Sequence, residues 1–186
     1  MGWTFYEKPR DVKAELNRQL TWESEGRVNR VLDSAIVNRV EYYAAVETVK
    51  PDGERHVWCA VFLLKFLPKA RDGYTFGYKD MDETCGPNAS RCPVRILDLL
   101  TETDNAYALR WRERCRAYHA ARAALPKLIE GMRLRVLNET VPTIDGIPLR
   151  EVTVLRAGSR PLFRVDGFNG YFRWPSWRQY QVEAAA

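Results

Sequence analysis

Three carboxylates crowd together at Asp80, Asp82 and Glu83, and two thiols follow at Cys85 and Cys92. Clustered oxygen ligands of this kind suit Mg²⁺ or Mn²⁺, which assist phosphoryl chemistry. Asp98 and Lys79 are the separated acid and the lysine that a hard-metal nuclease would add. In the structural alternative, Asp80 and Asp82 cap turns and pair with arginines of a later helix. A second metal set draws on Cys85, Cys92, Cys115 and His119. Cys115 and His119 stand four residues apart, so a helix would present both on one face. The six residues between Cys85 and Cys92 exceed the usual zinc spacing, and Cys115 also fits an apolar helix stripe. A Cys–His nucleophile pair built from these residues lacks an orienting third group nearby.

Basic residues form two further groups. Arg110, Arg112, Arg114 and Arg116 stand on alternate positions with only Glu113 among them. Like charges at i and i+4 repel by a few tenths (~0.3) of a kcal/mol, so acidic residues of the first half or an external anion must compensate. Arg164, Arg173 and Arg178 are interleaved with Phe163, Phe168, Tyr171, Phe172, Trp174, Trp177 and Tyr180. Outward rings beside arginines would stack bases and hold phosphates. The competing use buries the rings in a small β core, with arginine stems lying over them.

The chain has no Walker loop, no Gly-x-Gly-x-x-Gly after a strand and no Gly-x-Ser-x-Gly, and no cofactor is expected. Charge is uneven. Residues 1–109 hold 15 Lys/Arg against 17 Asp/Glu, whereas residues 110–186 hold 14 against 7. A basic half implies a polyanion or an acidic protein surface as partner. The longest apolar run, Val57 to Leu64, is too short to span a bilayer, and the first residues do not read as a signal peptide. A cytoplasmic protein with reduced thiols and no membrane partner is the expectation.

The elements that must position these residues follow from periodicity and turn chemistry. Val12, Leu16 and Leu20 recur every four residues and predict a helix over 10–21. Strands are predicted over 30–37, 39–49, 56–66 and 74–78, with a reversal near Asn38 and a turn at Lys50-Pro51-Asp52-Gly53-Glu54. Residues 56–66 are apolar on both faces, which marks a central strand covered on both sides. A short helix over 93–100 and a long one over 104–125, capped by Asp104 or Thr103, come next. Ala108, Trp111, Cys115, Tyr118, Arg122 and Leu125 form one stripe of the long helix. Short strands are predicted over 132–137, 150–156, 161–166, 171–174 and 177–182. The fold class is therefore α+β. An antiparallel β-meander packs with helices in residues 1–126, and a small SH3-like β-barrel module follows in 127–186.

The run Asp72-Gly73-Tyr74-Thr75-Phe76-Gly77-Tyr78-Lys79-Asp80-Met81-Asp82-Glu83 has Gly86-Pro87, Cys92-Pro93 and Asp98-Leu99-Leu100 after it and Met1-Gly2-Trp3 before it. These residues resemble a bacterial family of unknown function found largely on plasmids, phages and integrative elements. The resemblance implies a mobile genetic element and transfers no catalytic residue. Small proteins of such elements often serve DNA maintenance or counter host defences such as restriction or CRISPR systems. The leading expectation is thus a non-enzymatic inhibitor of a host defence nucleoprotein complex, acting through Arg110–Arg116 and the Arg164–Arg178 aromatic surface. A metal-dependent enzyme using Asp80, Asp82 and Glu83, and a plain DNA- or RNA-binding module, are the alternatives.

Overall fold

The computed structural model describes residues 2–71 and 73–185. Met1 and Asp72 of the family-like segments, and Ala186, lie outside the described residues. The chain is α+β and divides into two compact units, Met1–His119 and Ala120–Ala186.

The first unit is built on β1 (Thr4–Tyr6), β2 (Trp22–Ser24), β3 (Arg27–Val37), β4 (Glu41–Val49), β5 (Arg55–Arg71) and β6 (Tyr74–Asp82). They form a curled antiparallel sheet in the order β1-β6-β5-β4-β3-β2. The meander β3 to β6 keeps the predicted strand order. However, β5 runs on to Arg71 and β6 to Asp82, past the predicted ends at 66 and 78, and β1 and β2 extend the sheet at its two edges. Asn38 and Arg39 both take positive φ, 51° and 62°, and reverse the chain between β3 and β4. This tight turn delays the start of β4 to Glu41.

Alternation along β5 explains how the sheet is covered. Cys59 and Val61 face one core with Tyr43, Ala45, Cys92, Ile96, Trp111 and Cys115. Ala60, Phe62 and Leu64 face another with Tyr42, Val46, Phe76 and the α1 (Val12–Leu20) residues Val12 and Leu16. Burial on both faces is the physical counterpart of an uninterrupted apolar run. The first of these cores is closed by α2 (Val94–Leu97) and α3 (Ala106–Ala123). The N-terminus of α3 corrects the expected cap. Asn105 Oδ1, rather than a side chain of Asp104 or Thr103, accepts from the backbone N–H groups of Tyr107 and Ala108 at 3.0 Å each. Thr103 Oγ1 instead accepts from the Asn105 N–H, one step earlier in the turn.

The second unit holds β7 (Arg133–Val136), β8 (Thr143–Ile144), β9 (Ile147–Pro148), β10 (Glu151–Arg156), β11 (Leu162–Arg164) and β12 (Val182–Ala185). Four of them form an antiparallel sheet in the order β11-β10-β7-β12, and β8 and β9 form a hairpin across Asp145-Gly146. The predicted strand over 171–174 reduces to a single bridge between Phe163 and Phe172. The predicted strand over 177–182 becomes a 3₁₀ turn, Trp177–Gln179, followed by β12. Pro175 accounts for both changes. It lacks an N–H for a ladder, and its fixed φ starts the turn in which Trp177 N–H bonds Trp174 O.

Candidate anion-binding surface

The acidic segment is taken apart by strand geometry. β6 continues through Asp82, so Asp80 and Asp82 share a side of the sheet. Asp80 is exposed. Asp82 caps a 3₁₀ turn, Glu83–Cys85, by accepting the Thr84 N–H at 2.7 Å. Glu83 turns inward and is 2% exposed. Its carboxylate accepts Arg112 Nε at 2.6 Å, Arg112 Nη2 at 2.8 Å and the Cys59 N–H at 3.2 Å. Both Glu83 oxygens are therefore committed to protein donors. Among the described residues no group of three or more His, Cys, Asp or Glu side chains is placed to hold a metal ion.

The thiols separate in the same way. Cys85 is exposed, whereas Cys59, Cys92 and Cys115 are buried. Cys59 Sγ lies 3.9 Å from Cys92 Sγ, and His119 Nε2 lies 2.9 Å from the Cys92 carbonyl. Burial pushes the Cys115 thiol up to about 12 and raises Cys59 as well. These three thiols behave as small apolar side chains of a dry core rather than as nucleophiles.

The arginines of α3 are largely spoken for. Arg112 also donates to Thr101 O at 2.8 Å, Arg114 to Pro87 O at 2.6 Å, and Arg116 to Asp98 Oδ1 at 2.9 Å. These bonds tie the segment 83–101 to the helix and offset the i, i+4 repulsion along it. Arg110 donates to Ala106 O of its own helix and lies over the Tyr107 ring, 5.0 Å from its centroid.

The second unit presents its arginines differently. The antiparallel bridge at Phe163 and Phe172 runs Arg173-Trp174-Pro175 beside Leu162-Pro161-Arg160. With a side-chain period of two, Phe163, Pro161, Phe172 and Trp174 turn inward while Arg164, Arg160 and Arg173 turn out. Phe163 packs on Phe172, Trp174 and Trp177 with centroids 6.0–6.4 Å apart. Trp174 is 5% and Trp177 2% exposed, so their rings serve the core and are closed to base stacking. The Arg178 guanidinium covers the Trp177 ring at 4.8 Å.

A cleft of about 300 Å³ opens over these rings, lined by Ser159, Arg160, Arg173, Arg178 and the edges of the Trp–Pro segment. Trp177 and Arg178 also line a neighbouring cleft of about 310 Å³ with Arg122 and Lys127. No Asp or Glu lines either cleft. Among the described residues, Arg160, Arg164 and Arg173 make no ion pair, whereas Arg133 and Arg135 of the same unit do. Sequence reasoning singled out Arg164, Arg173, Trp174, Trp177 and Arg178 but missed Arg160 and Lys127. The Gly158-Ser159-Arg160-Pro161 turn before the Phe163 strand was the available signal, because a turn residue beside an inward aromatic strand is held at the surface.

Residues 102–177 match the model of a domain of unknown function (DUF6927). The matched stretch is similar to an uncharacterised family, and it contains Arg110–Arg116, Arg164, Arg173, Trp174 and Trp177 but not Arg178. No curated protein matches the chain, and no solved structure matches it. Among the described residues, no helix is long and apolar enough to cross a membrane.

Proposed function

We propose that this chain is a non-enzymatic binding protein that engages nucleic acid, free or within a nucleoprotein complex, through the arginine surface of its second unit. The observation that carries this reading is the contrast between the two arginine groups. Three of the four α3 arginines are bonded to the segment 83–101, Arg112 and Arg116 in ion pairs with Glu83 and Asp98 and Arg114 to the Pro87 carbonyl. Arg160, Arg164 and Arg173 have no carboxylate partner among the described residues, and the clefts beside them have none in their walls. Unpaired guanidiniums on a surface supply the counterion-releasing contacts that dominate phosphate-backbone binding. The setting implied by the resemblance to mobile-element proteins supports a host defence complex as the target, blocked by occupancy and without chemistry. The metal-enzyme alternative loses its third ligand, because Glu83 is held by Arg112 and the Cys59 N–H.

The test is binding of single- and double-stranded DNA and RNA across a salt series. Affinity is expected to fall steeply with salt, and Arg173→Glu or Arg164→Glu is expected to weaken it uniformly across sequences. Absent binding, or binding indifferent to salt and to these charge reversals, overturns the proposal.

A further inference from the structure

We infer that the cleft between Arg160, Arg173 and Arg178 is a pocket for a terminal phosphate monoester, carried on one nucleotide unit. The inference rests on the nucleic-acid reading above and names which part of the ligand this cleft takes. Three arginines line a space of about 300 Å³ with no carboxylate in its walls. That density of positive charge suits a dianionic monoester better than the single charge of an internal diester. Ser159 adds a hydroxyl donor at the rim.

The indole N–H groups of Trp174 and Trp177 are buried and have no acceptor in the protein. Buried N–H groups are almost always paired, since each one left unmade costs about 1–3 kcal/mol. Trp174 and Trp177 line the cleft, but their N–H groups are buried below its surface, so the arginines and Ser159 are the donors that a phosphate meets there. Pro161 and Pro175 complete the wall with apolar surface against which a sugar or base can rest. Size sets the limit on the ligand. Small-molecule pockets span roughly 300–1,000 Å³, so this cleft falls at the end that takes one nucleotide unit and not a length of strand.

The experiment uses the full chain and fluorescently labelled single strands of about ten nucleotides, carrying a 5′-phosphate, a 3′-phosphate or hydroxyls at both ends. One phosphorylated form is expected to bind about tenfold tighter or more than the hydroxyl form, the effect of one added charge-assisted hydrogen bond. Arg160→Ala and Arg173→Ala should erase that preference. Arg164→Ala, outside the cleft, should lower all affinities and keep the preference. Competition by a free nucleoside monophosphate as effective as that by the phosphorylated strand also supports the pocket, with a free nucleotide as its source. Equal, salt-sensitive binding of all three strands overturns this inference and leaves the proposed function standing. Binding of none of them overturns both. Displacement by a glutamate-rich peptide at lower concentration than by the phosphorylated strand overturns the inference in favour of an acidic protein partner.

Discussion

Arg112 closes on Glu83 in a two-point ion pair, Nε to Oε2 at 2.6 Å and Nη2 to Oε1 at 2.8 Å. The pair joins the end of β6 to the middle of α3. It also reaches the sheet, because Glu83 accepts the Cys59 N–H of β5 and Arg112 donates to Thr101 O. Thr101 in turn exchanges hydrogen bonds with the Val57 backbone at 2.9 Å. One ion pair thereby fastens the acidic segment, the long helix and a central strand to each other.

Removing one member of this pair leaves a charge buried without its partner. Arg112→Ala is expected to cost about 3–5 kcal/mol of unfolding free energy, read from the shift of a urea transition. Arg116→Ala is the control, since its bond to Asp98 joins two side chains that are 50% and 57% exposed. Exposed pairs contribute about 0–1 kcal/mol. Similar losses from the two variants would contradict a structural role for the buried pair.

How much of this was legible in the sequence depended on whether a local pattern carried the information. The double-sided apolar run of β5 announces a central strand, and the structure buries Cys59 and Val61 on one face with Ala60 and Phe62 on the other. The partner of the α3 arginines was expected among Asp80, Asp82 and Glu83, but which carboxylate turns inward depends on where β6 stops. Alternation alone does not fix that point. The strand ends at Asp82, whose side chain caps the following turn and sends Glu83 into the core. The cleft of the second unit was less legible still. Adjacent strands over 161–166 and 171–174 were legible, but alternation does not encode the bridge register of Phe163 on Phe172, which sets Arg160 and Arg173 into one cleft wall.

Thiol reactivity should be confined to one cysteine. Cys85 is exposed, while Cys59, Cys92 and Cys115 are buried and two of them are held protonated by burial. Titration of the native protein with a disulfide reagent is expected to modify one thiol promptly, and Cys85→Ser to remove that phase. The other three should react only in denaturant. A second fast thiol would mean that the helix-covered core opens far more readily than its packing implies.

Alkaline pH should destabilise the first unit. Burial raises the Tyr43 phenol, with its hydrogen bond to Glu41 adding to the effect, and burial likewise raises Tyr42. The Cys59 and Cys115 thiols are raised by burial too. Each group is held neutral in the folded protein and ionises near its ordinary value when unfolded, about 8.5 for a thiol and about 10 for a phenol. Their contribution is complete below those values and is lost as pH rises beyond them. Unfolding free energies measured between about pH 8 and pH 11 should therefore fall, and Cys115→Ala should flatten the first part of that fall. A profile unchanged in that variant would show that Cys115 does not contribute.

Gly77 in the Tyr-Thr-Phe-Gly-Tyr segment is required by a close approach and not by a turn. It stands directly opposite Phe5 in the β1–β6 pairing. A Cβ added there would lie 2.5 and 2.6 Å from two Phe5 ring carbons and 3.2 Å from the Thr4 carbonyl. The ring covers the bare glycine backbone, and Trp3 stacks on it with centroids 6.0 Å apart. Gly77→Ala must therefore displace Phe5 and loosen β1 from the sheet edge, at a cost of about 1–3 kcal/mol. Hydrogen exchange of the Thr4–Tyr6 amides and the urea transition report the two effects. In a Phe5→Ala background the clash has no ring to meet, so most of the penalty of Gly77→Ala should vanish. A penalty of the same size in both backgrounds would show that the ring is not what makes this position glycine.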